Sequence, residues 1–153
     1  MKGLFLDDER LPNQVEEWIA FNYLDFEWQI VRNYDDFVKA VEEEEFDYIS
    51  FDHDLDRSST FECIRCNSSK EKFDYRRIKE KTGYHCAKFI KEHYTKQGKD
   101  IPKYIVHSLN EKGRENIIEI LGKERLVATH SLELCFEKAD EILKLRSTRT
   151  AKQ

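Results

Sequence analysis

Short apolar runs that end abruptly in ionisable residues set the rhythm of this chain. Gly3-Leu4-Phe5-Leu6 gives way at once to Asp7 and Asp8, Tyr48-Ile49-Ser50-Phe51 runs into Asp52-His53-Asp54-Leu55, and Tyr104-Ile105-Val106 stops at His107-Ser108-Leu109-Asn110. Unbroken apolar runs of this length read as strands buried on both faces of a sheet. Trp28-Gln29-Ile30-Val31 is a further strand, second in chain order. Between the strands the period changes to that of a helix. Val15, Trp18 and Ile19 recur at helical spacing after Pro12. Tyr34-Asp35-Asp36 opens a second helix, with an Asp placed to cap it and Phe37, Val38, Ala40 and Val41 facing inward. The acidic run Glu42 to Glu45 is the solvated end of that helix. Thr82-Gly83-Tyr84 leads into an amphipathic helix through Cys86-Ala87-Lys88-Phe89-Ile90. Lys99-Asp100-Ile101-Pro102 is a turn, and a helix over 112–121 is stopped by Gly122. Residues 126–129 are expected to form a short fifth strand and 131–145 a last helix, with Cys135 in its core face.

Strands alternating with helices imply right-handed crossovers and a parallel α/β sheet covered on both faces. In such sheets ligands gather outside the carboxyl ends of the strands, the edge at which three of these strands deliver ionisable residues. The stretch 56–81 breaks the pattern. It is rich in Ser, Lys, Glu and Asp with little sustained periodicity, and is expected to be a long surface loop inserted into the domain, of the kind that serves as a lid or binding loop. One domain over 1–146 accounts for the chain, with a polar, basic tail at 147–153.

With 39% hydrophobic and 37% charged residues and a formal net charge of −5, the chain has the composition of a folded domain with a charged surface. That charge gives no support for strong duplex-DNA or anionic-membrane binding. No apolar stretch approaches the roughly 20 residues needed to cross a bilayer, and the amino terminus turns acidic too early for a secretory signal. A cytoplasmic location follows as an expectation, and with it cysteines that serve as thiols or ligands rather than disulfides. Cys63-Ile64-Arg65-Cys66 has zinc-compatible spacing, and a structural Zn²⁺ would need two further ligands, for which His85 and Cys86 are candidates.

The candidate chemistry lies at the strand ends. Asp7, Asp8 and Asp52 approach one another if the first and third strands are neighbours. Three crowded carboxylates repel and are costly to desolvate unless a cation neutralises them, and oxygen ligands of this kind favour Mg²⁺ or Mn²⁺. His53 can act as a further metal ligand or a catalytic group, and His107 as a general base or acid. A helix begins at Asn110-Glu111-Lys112-Gly113-Arg114-Glu115-Asn116. Its amino terminus, with Ser108, Asn110 and Arg114, is suited to phosphate oxygens. A metal beside an anion pocket meets the requirements of phosphoryl chemistry.

Leu4-Phe5-Leu6-Asp7-Asp8-Glu9, the strand ending at Asp52, and Ile101-Pro102 before a strand resemble the receiver domains of response regulators. In receivers the paired acids and the later Asp hold Mg²⁺, and the later Asp accepts a phosphoryl group. Two positions depart from that pattern. His107 stands where a receiver has a small hydroxyl residue, and Thr129 or His130 stands where it has the Lys that holds the phosphoryl oxygen, which argues against a phosphorelay. The chain is more similar to the cyclic-phosphate-processing receiver family. The motifs are Asp7-Asp8-Glu9-Arg10-Leu11-Pro12, Phe51-Asp52-His53-Asp54-Leu55, Thr82-Gly83-Tyr84, and Val106-His107-Ser108-Leu109-Asn110 with Gly113-Arg114-Glu115-Asn116.

This resemblance implies a receiver-like (flavodoxin-like) doubly wound sheet of order 2-1-3-4 with a possible fifth strand. It also implies a metal-dependent phosphoesterase acting on cyclic phosphates, such as RNA 2′,3′-cyclic ends or cyclic nucleotides. The metal ligands would be Asp7, Asp8, Asp52 and His53; the catalytic groups His107, Asp52 and His53; and the phosphate contacts Ser108, Asn110, Arg114 and Arg10. A phosphoacceptor signalling domain and a non-catalytic nucleotide-binding module are the alternatives.

Overall fold

In the computed structural model, described here for residues 1–15, 23 and 26–124, four parallel strands form one sheet. They are β1 (Lys2–Leu6), β2 (Glu27–Val31), β3 (Tyr48–Phe51) and β4 (Lys103–Val106), in the expected order β2-β1-β3-β4. The helices are α1 (Pro12–Val15), α2 (Tyr34–Glu43), α3 (Arg57–Ser69), α4 (Gly83–Lys96) and α5 (Glu111–Leu121), with a 3₁₀ turn at Tyr75–Arg77. The proposed fifth strand and last helix, Trp18 and Ile19, Cys135 and the tail lie outside the described residues.

The alternation along each strand sorts the core into two layers. Leu4, Leu6, Ile49, Phe51, Tyr104 and Val106 face one way and pack with Phe37, Ala40 and Val41 of α2, Cys86, Ala87 and Ile90 of α4, and Ile117 of α5. Phe5, Tyr48 and Ile105 face the other way, into a smaller aromatic cluster with Val15, Tyr23, Phe26 and Trp28. Ser50 and Asp52 share this second face with Tyr48, and Asp7 shares it with Phe5. The site therefore grows out of the smaller layer. Val38, expected inward, is only half-buried. The cap of α2 is Asn33 rather than an Asp: its Oδ1 accepts from the backbone N–H of Asp36 at 2.9 Å.

The inserted loop expected at 56–81 is half helix. Asp56 caps α3, its two carboxylate oxygens accepting the N–H groups of Ser58 and Ser59, both at 3.1 Å. The helix escapes periodicity because little of it is core: Ser59, Glu62 and Cys66 are buried, while Phe61 and Ile64 point outward. The polar buried positions find partners instead. Glu62 pairs with Arg65 at 2.7 Å and accepts the Asp74 N–H at 2.9 Å. Lys112 of α5 donates to the Cys66 and Glu71 carbonyls and so holds the carboxyl end of α3 against the body of the domain.

Asp56→Ala should destabilise the protein by about 1 kcal/mol, the usual value of a lost N-cap. The urea midpoint should fall with its slope unchanged; an unaltered midpoint would mean that the cap contributes nothing to the fold.

Candidate functional site

The sheet register carries the strand-end residues to one place. Leu6 pairs with Phe51 and Phe51 with Val106. The ladder continues one rung beyond the strands, with Asp52 N–H donating to Leu6 O at 2.8 Å and His107 N–H to Phe51 O at 2.9 Å. Asp7, Asp52 and His107 are thus adjacent by backbone pairing before any side chain interacts. Asp7, Asp8 and Asp52 each bring one carboxylate oxygen within 4.8 Å of the others, the one such group of three metal-ligating side chains among the described residues.

Asp7 is fully buried, and both of its carboxylate oxygens accept hydrogen bonds. Its Oδ1 accepts the N–H groups of Glu9 at 2.9 Å and Arg10 at 2.6 Å, and its Oδ2 faces Arg10 Nε at 2.7 Å and His107 Nε2 at 3.1 Å. Burial pushes this carboxyl up, but the bond to His107, the two backbone donors and the Arg10 charge outweigh it and leave the pKa at about 2. Asp52 takes the His53 N–H on Oδ1 at 2.8 Å and Arg10 Nη2 on Oδ2 at 2.8 Å, with Ser108 also bonded to it. Burial raises its pKa against the pull of His107, Arg10 and Ser108. Arg32, just past β2, donates to the carbonyls of Asp7 at 2.9 Å and Arg10 at 2.8 Å and fixes the turn between them.

One guanidinium therefore bridges two of three acids. Unit charges about 4–5 Å apart repel by roughly 3–4 kcal/mol at an effective dielectric of about 20, so the third acid bears the excess. That acid is Asp8, whose pKa is pushed up to about 6 by burial and by the charges of Asp52, Asp7 and Glu9.

The two histidines occupy different surroundings. His107 is fully buried, its ring stacked on Phe5 at 4.6 Å between centroids, with Nδ1 on Ser50 Oγ at 2.7 Å and Nε2 on Asp7. It stands behind Asp7, so the direct proton exchange with substrate expected of it has no geometric support. His53 lies outside the acid group, which corrects its assignment as a metal ligand. Its Nδ1 faces Asp54 Oδ1 at 2.7 Å, its Nε2 faces the Tyr75 hydroxyl at 2.9 Å, and its ring is fully buried. With both nitrogens engaged and no exposure, the side chain holds structure together.

His53 is what the scattered motifs surround. A Cβ on Gly113 would lie 2.3 Å from the His53 ring, and one on Gly83 would lie 1.9 Å from the Asp52 carbonyl oxygen. Both glycines let a helix approach closer than any side chain permits. Gly83 N–H donates to His53 O at 2.9 Å, and Asn110 Nδ2 reaches Asp54 at 3.1 Å. The inserted segment adds the remaining wall: Phe73 meets the ring edge-on at 4.8 Å, and Tyr75 stacks on Tyr84 at 4.3 Å while accepting from Asn116 at 2.9 Å.

Of the expected phosphate contacts, Arg10 and Ser108 lie beside Asp52. Asn110 is buried as the cap of α5, accepting the Gly113 N–H at 2.9 Å, and Arg114 lies toward the outside, paired with Glu124. The structure brings neither Asn110 nor Arg114 into the group of three acids. Cys63 and Cys66 lie on α3, where the Cys66 thiol donates to the Cys63 carbonyl at 3.3 Å, whereas Cys86 is on the buried face of α4. Ser50 and Tyr75 were not foreseen. Ser50 had a signal, a hydroxyl in the middle of an otherwise apolar buried strand; Tyr75 had none.

A doubly wound parallel sheet with paired acids after β1 and a third after β3 defines a receiver-type domain. The chain belongs to the family of cyclic-phosphate processing receiver domains, which matches over residues 2–123. No curated protein and no solved structure matches the chain. Among the described residues no helix is long and apolar enough to cross a membrane.

Two stability changes follow. Asp8 has a folded pKa of about 6 against an ordinary value of about 4. Its contribution to stability is thus complete below pH 4 and lost as pH rises through 6. Asp8→Asn should stabilise the metal-free protein at pH 7 by about 1–2 kcal/mol, after allowing for its partial exposure, with the gain vanishing below about pH 4. Denaturant titrations across pH test this, and a gain independent of pH would refute the electrostatic account. Gly83→Ala should cost at least about 2 kcal/mol because the obstacle is backbone; a variant with native thermal stability would contradict the close approach.

Proposed function

We propose that this domain hydrolyses cyclic phosphates on nucleotides or RNA ends, with a divalent cation held by Asp7, Asp8 and Asp52. The observation that carries this reading is the convergence of three carboxylate oxygens within 4.8 Å of one another, with one guanidinium to offset them. The donor set suits such an ion: it is all oxygen, among the described residues three carboxylates meet one guanidinium, and Asp8 is the partly exposed member. Hard donors of this kind select Mg²⁺ or Mn²⁺ over softer metals. A bound cation would neutralise phosphoryl oxygens and lower the pKa of a nearby water.

The chain's own groups supply the rest. Arg10 pairs with the carboxylates in the absence of ligand, and its planar fork can take phosphate oxygens once another cation relieves it of that duty. Ser108, bonded to Asp52 and accepting the Asn110 N–H at 3.2 Å, offers a hydroxyl at the same edge. His107 holds Asp7 in place from behind. In the reaction water adds to phosphorus, one ring P–O ester bond breaks, and a proton ends on the released alkoxide.

The test is a panel of 2′,3′- and 3′,5′-cyclic nucleotides and an RNA with a 2′,3′-cyclic end, assayed with Mg²⁺, Mn²⁺ and chelator. Turnover should require metal, and Asp52→Asn should lower kcat/KM by about a hundredfold or more. Millimolar Mg²⁺ or Mn²⁺ should raise the Tm of the native protein and not that of Asp52→Asn. Absence of turnover with every substrate and both metals would sink the proposal, as would a stable acyl phosphate on Asp52 after acetyl phosphate treatment.

A further inference from the structure

A cavity of about 650 Å³ opens at the same edge of the sheet as the acids, within the range of about 300–1,000 Å³ usual for small-molecule sites. Its walls are the first turn of α2, the turn after β3 at Leu55, and the segment from Lys79 to Lys81 that leads into α4. Two of these walls are fastened. Asn33 caps α2 by accepting the Asp36 N–H at 2.9 Å, and the Lys79 N–H donates to Ser58 Oγ at 2.8 Å, tying the end of the inserted segment to the cap of α3. The cavity adjoins the acids through the chain. Asp7 N–H donates to Val31 O at 3.2 Å, and Tyr34 follows Val31 by three residues, as Leu55 follows Asp52. Three residues span at most about 10 Å, a reach that a nucleotide covers between its phosphorus and a neighbouring base.

The lining is not that of a second phosphate seat. Lys79 and Lys81 face three acids, Asp35, Asp36 and Glu80, and the amino end of α2 is already capped. What it offers is an aromatic ring, an apolar surface at the buried Leu55, and donors and acceptors together, which suits a flat, neutral, hydrogen-bonding group. Tyr34 is half-buried and meets Phe89 edge-on at 6.5 Å between centroids, so its ring is braced from the core. Lys81 Nζ stands over the ring at 3.8 Å from its centroid. Lys81 is itself exposed, so the face it covers is one that a flexible side chain can yield to a ligand.

We infer that this cavity receives a nucleobase of the substrate, stacked on Tyr34 in place of Lys81, while the phosphate lies at the acids. The inference rests on the reading of the acid group given above and names the part of the substrate that this reading left open. Tyr34 packs against the larger core layer and the acids grow out of the smaller one, so the ligand crosses the top of the sheet. Every base has a flat π face, and stacking therefore selects nucleotides over other cyclic phosphates without choosing among bases. The base belongs either to the cyclic nucleotide itself or to the residue before it in an RNA strand.

The test is a titration of the ¹⁵N-labelled full chain, in Mg²⁺, with adenosine 3′-monophosphate, with the 3′-phosphorylated dinucleotide ApAp, and with inorganic phosphate as the control that lacks a base. The nucleotides should move the amide signals of Tyr34, Leu55 and Lys81, and phosphate should not. Tyr34→Leu, which keeps apolar bulk against Phe89, should weaken nucleotide binding about fivefold to a hundredfold, the range for losing one stacked base. Tyr34→Phe, which keeps the ring, should bind as the native protein does. An effect on the mononucleotide assigns the stacked base to the cyclic nucleotide itself; an effect confined to ApAp assigns it to the preceding residue. In the metal-dependent assay, the ratio of kcat/KM for the nucleotide substrate to that for glycerol 1,2-cyclic phosphate should fall by the same factor in Tyr34→Leu. A folded Tyr34→Leu variant that binds both nucleotides with native affinity would overturn the inference, as would nucleotide shifts that leave Tyr34, Leu55 and Lys81 untouched. If the shifts and their dependence on the ring are as stated and no cyclic phosphate is hydrolysed, the base site stands and the proposed reaction alone fails.

Discussion

The arrangement depends on a shortage of positive charge. Sheet register carries Asp7 and Asp52 to neighbouring rungs, chain continuity adds Asp8, and among the described residues a single guanidinium stands with them. Parallel pairing makes this unavoidable, since moving the acids apart would require breaking the ladder between β1 and β3. The protein tolerates the crowding by distributing donors unevenly. Asp7 and Asp52 receive backbone N–H groups and the guanidinium, and Asp8 is left to the half-exposed rim, where its surroundings resist ionisation.

The glycines and histidines of the motifs make sense as the frame that keeps the acids presented. His53 does not face the pocket; it keys the turn after β3 into place, with the amino ends of α4 and α5 pressed close on glycine. Its backbone N–H then holds Asp52, so side chain and main chain of one residue connect the wall of the domain to its functional edge. The inserted segment belongs to this frame as well, since Phe73 and Tyr75 complete the enclosure of the ring.

Much of this was legible in the amino-acid order. Four strands followed from apolar runs alternating with helical period, their order from the family resemblance, and the convergence of Asp7, Asp8 and Asp52 from where those runs end. Residue type, by contrast, was a poor guide to the histidines. Imidazole beside acid at a strand end suggested chemistry for both, yet which way each ring points depends on Tyr75, Ser50 and Phe5, brought in from distant parts of the chain. The helix α3 was missed because its stabilisation comes from an Asp cap, a Glu62–Arg65 pair and a Lys on α5, none of which leaves an amphipathic stripe; only the cap could have been read. Asn33 displaced the expected Asp cap because the turn begins one residue before the pattern does.

The docking of the inserted segment has a thermal consequence. Its hold on the body rests on Lys112 bonded to two carbonyls and on Tyr75 wedged between three elements, with few apolar side chains beneath it. Segments with so little buried surface open before the sheet does. When this one lifts, His53 loses its hydroxyl partner and its aromatic cover while the four strands remain intact. Warming should therefore free the surroundings of His53 while the sheet is still folded.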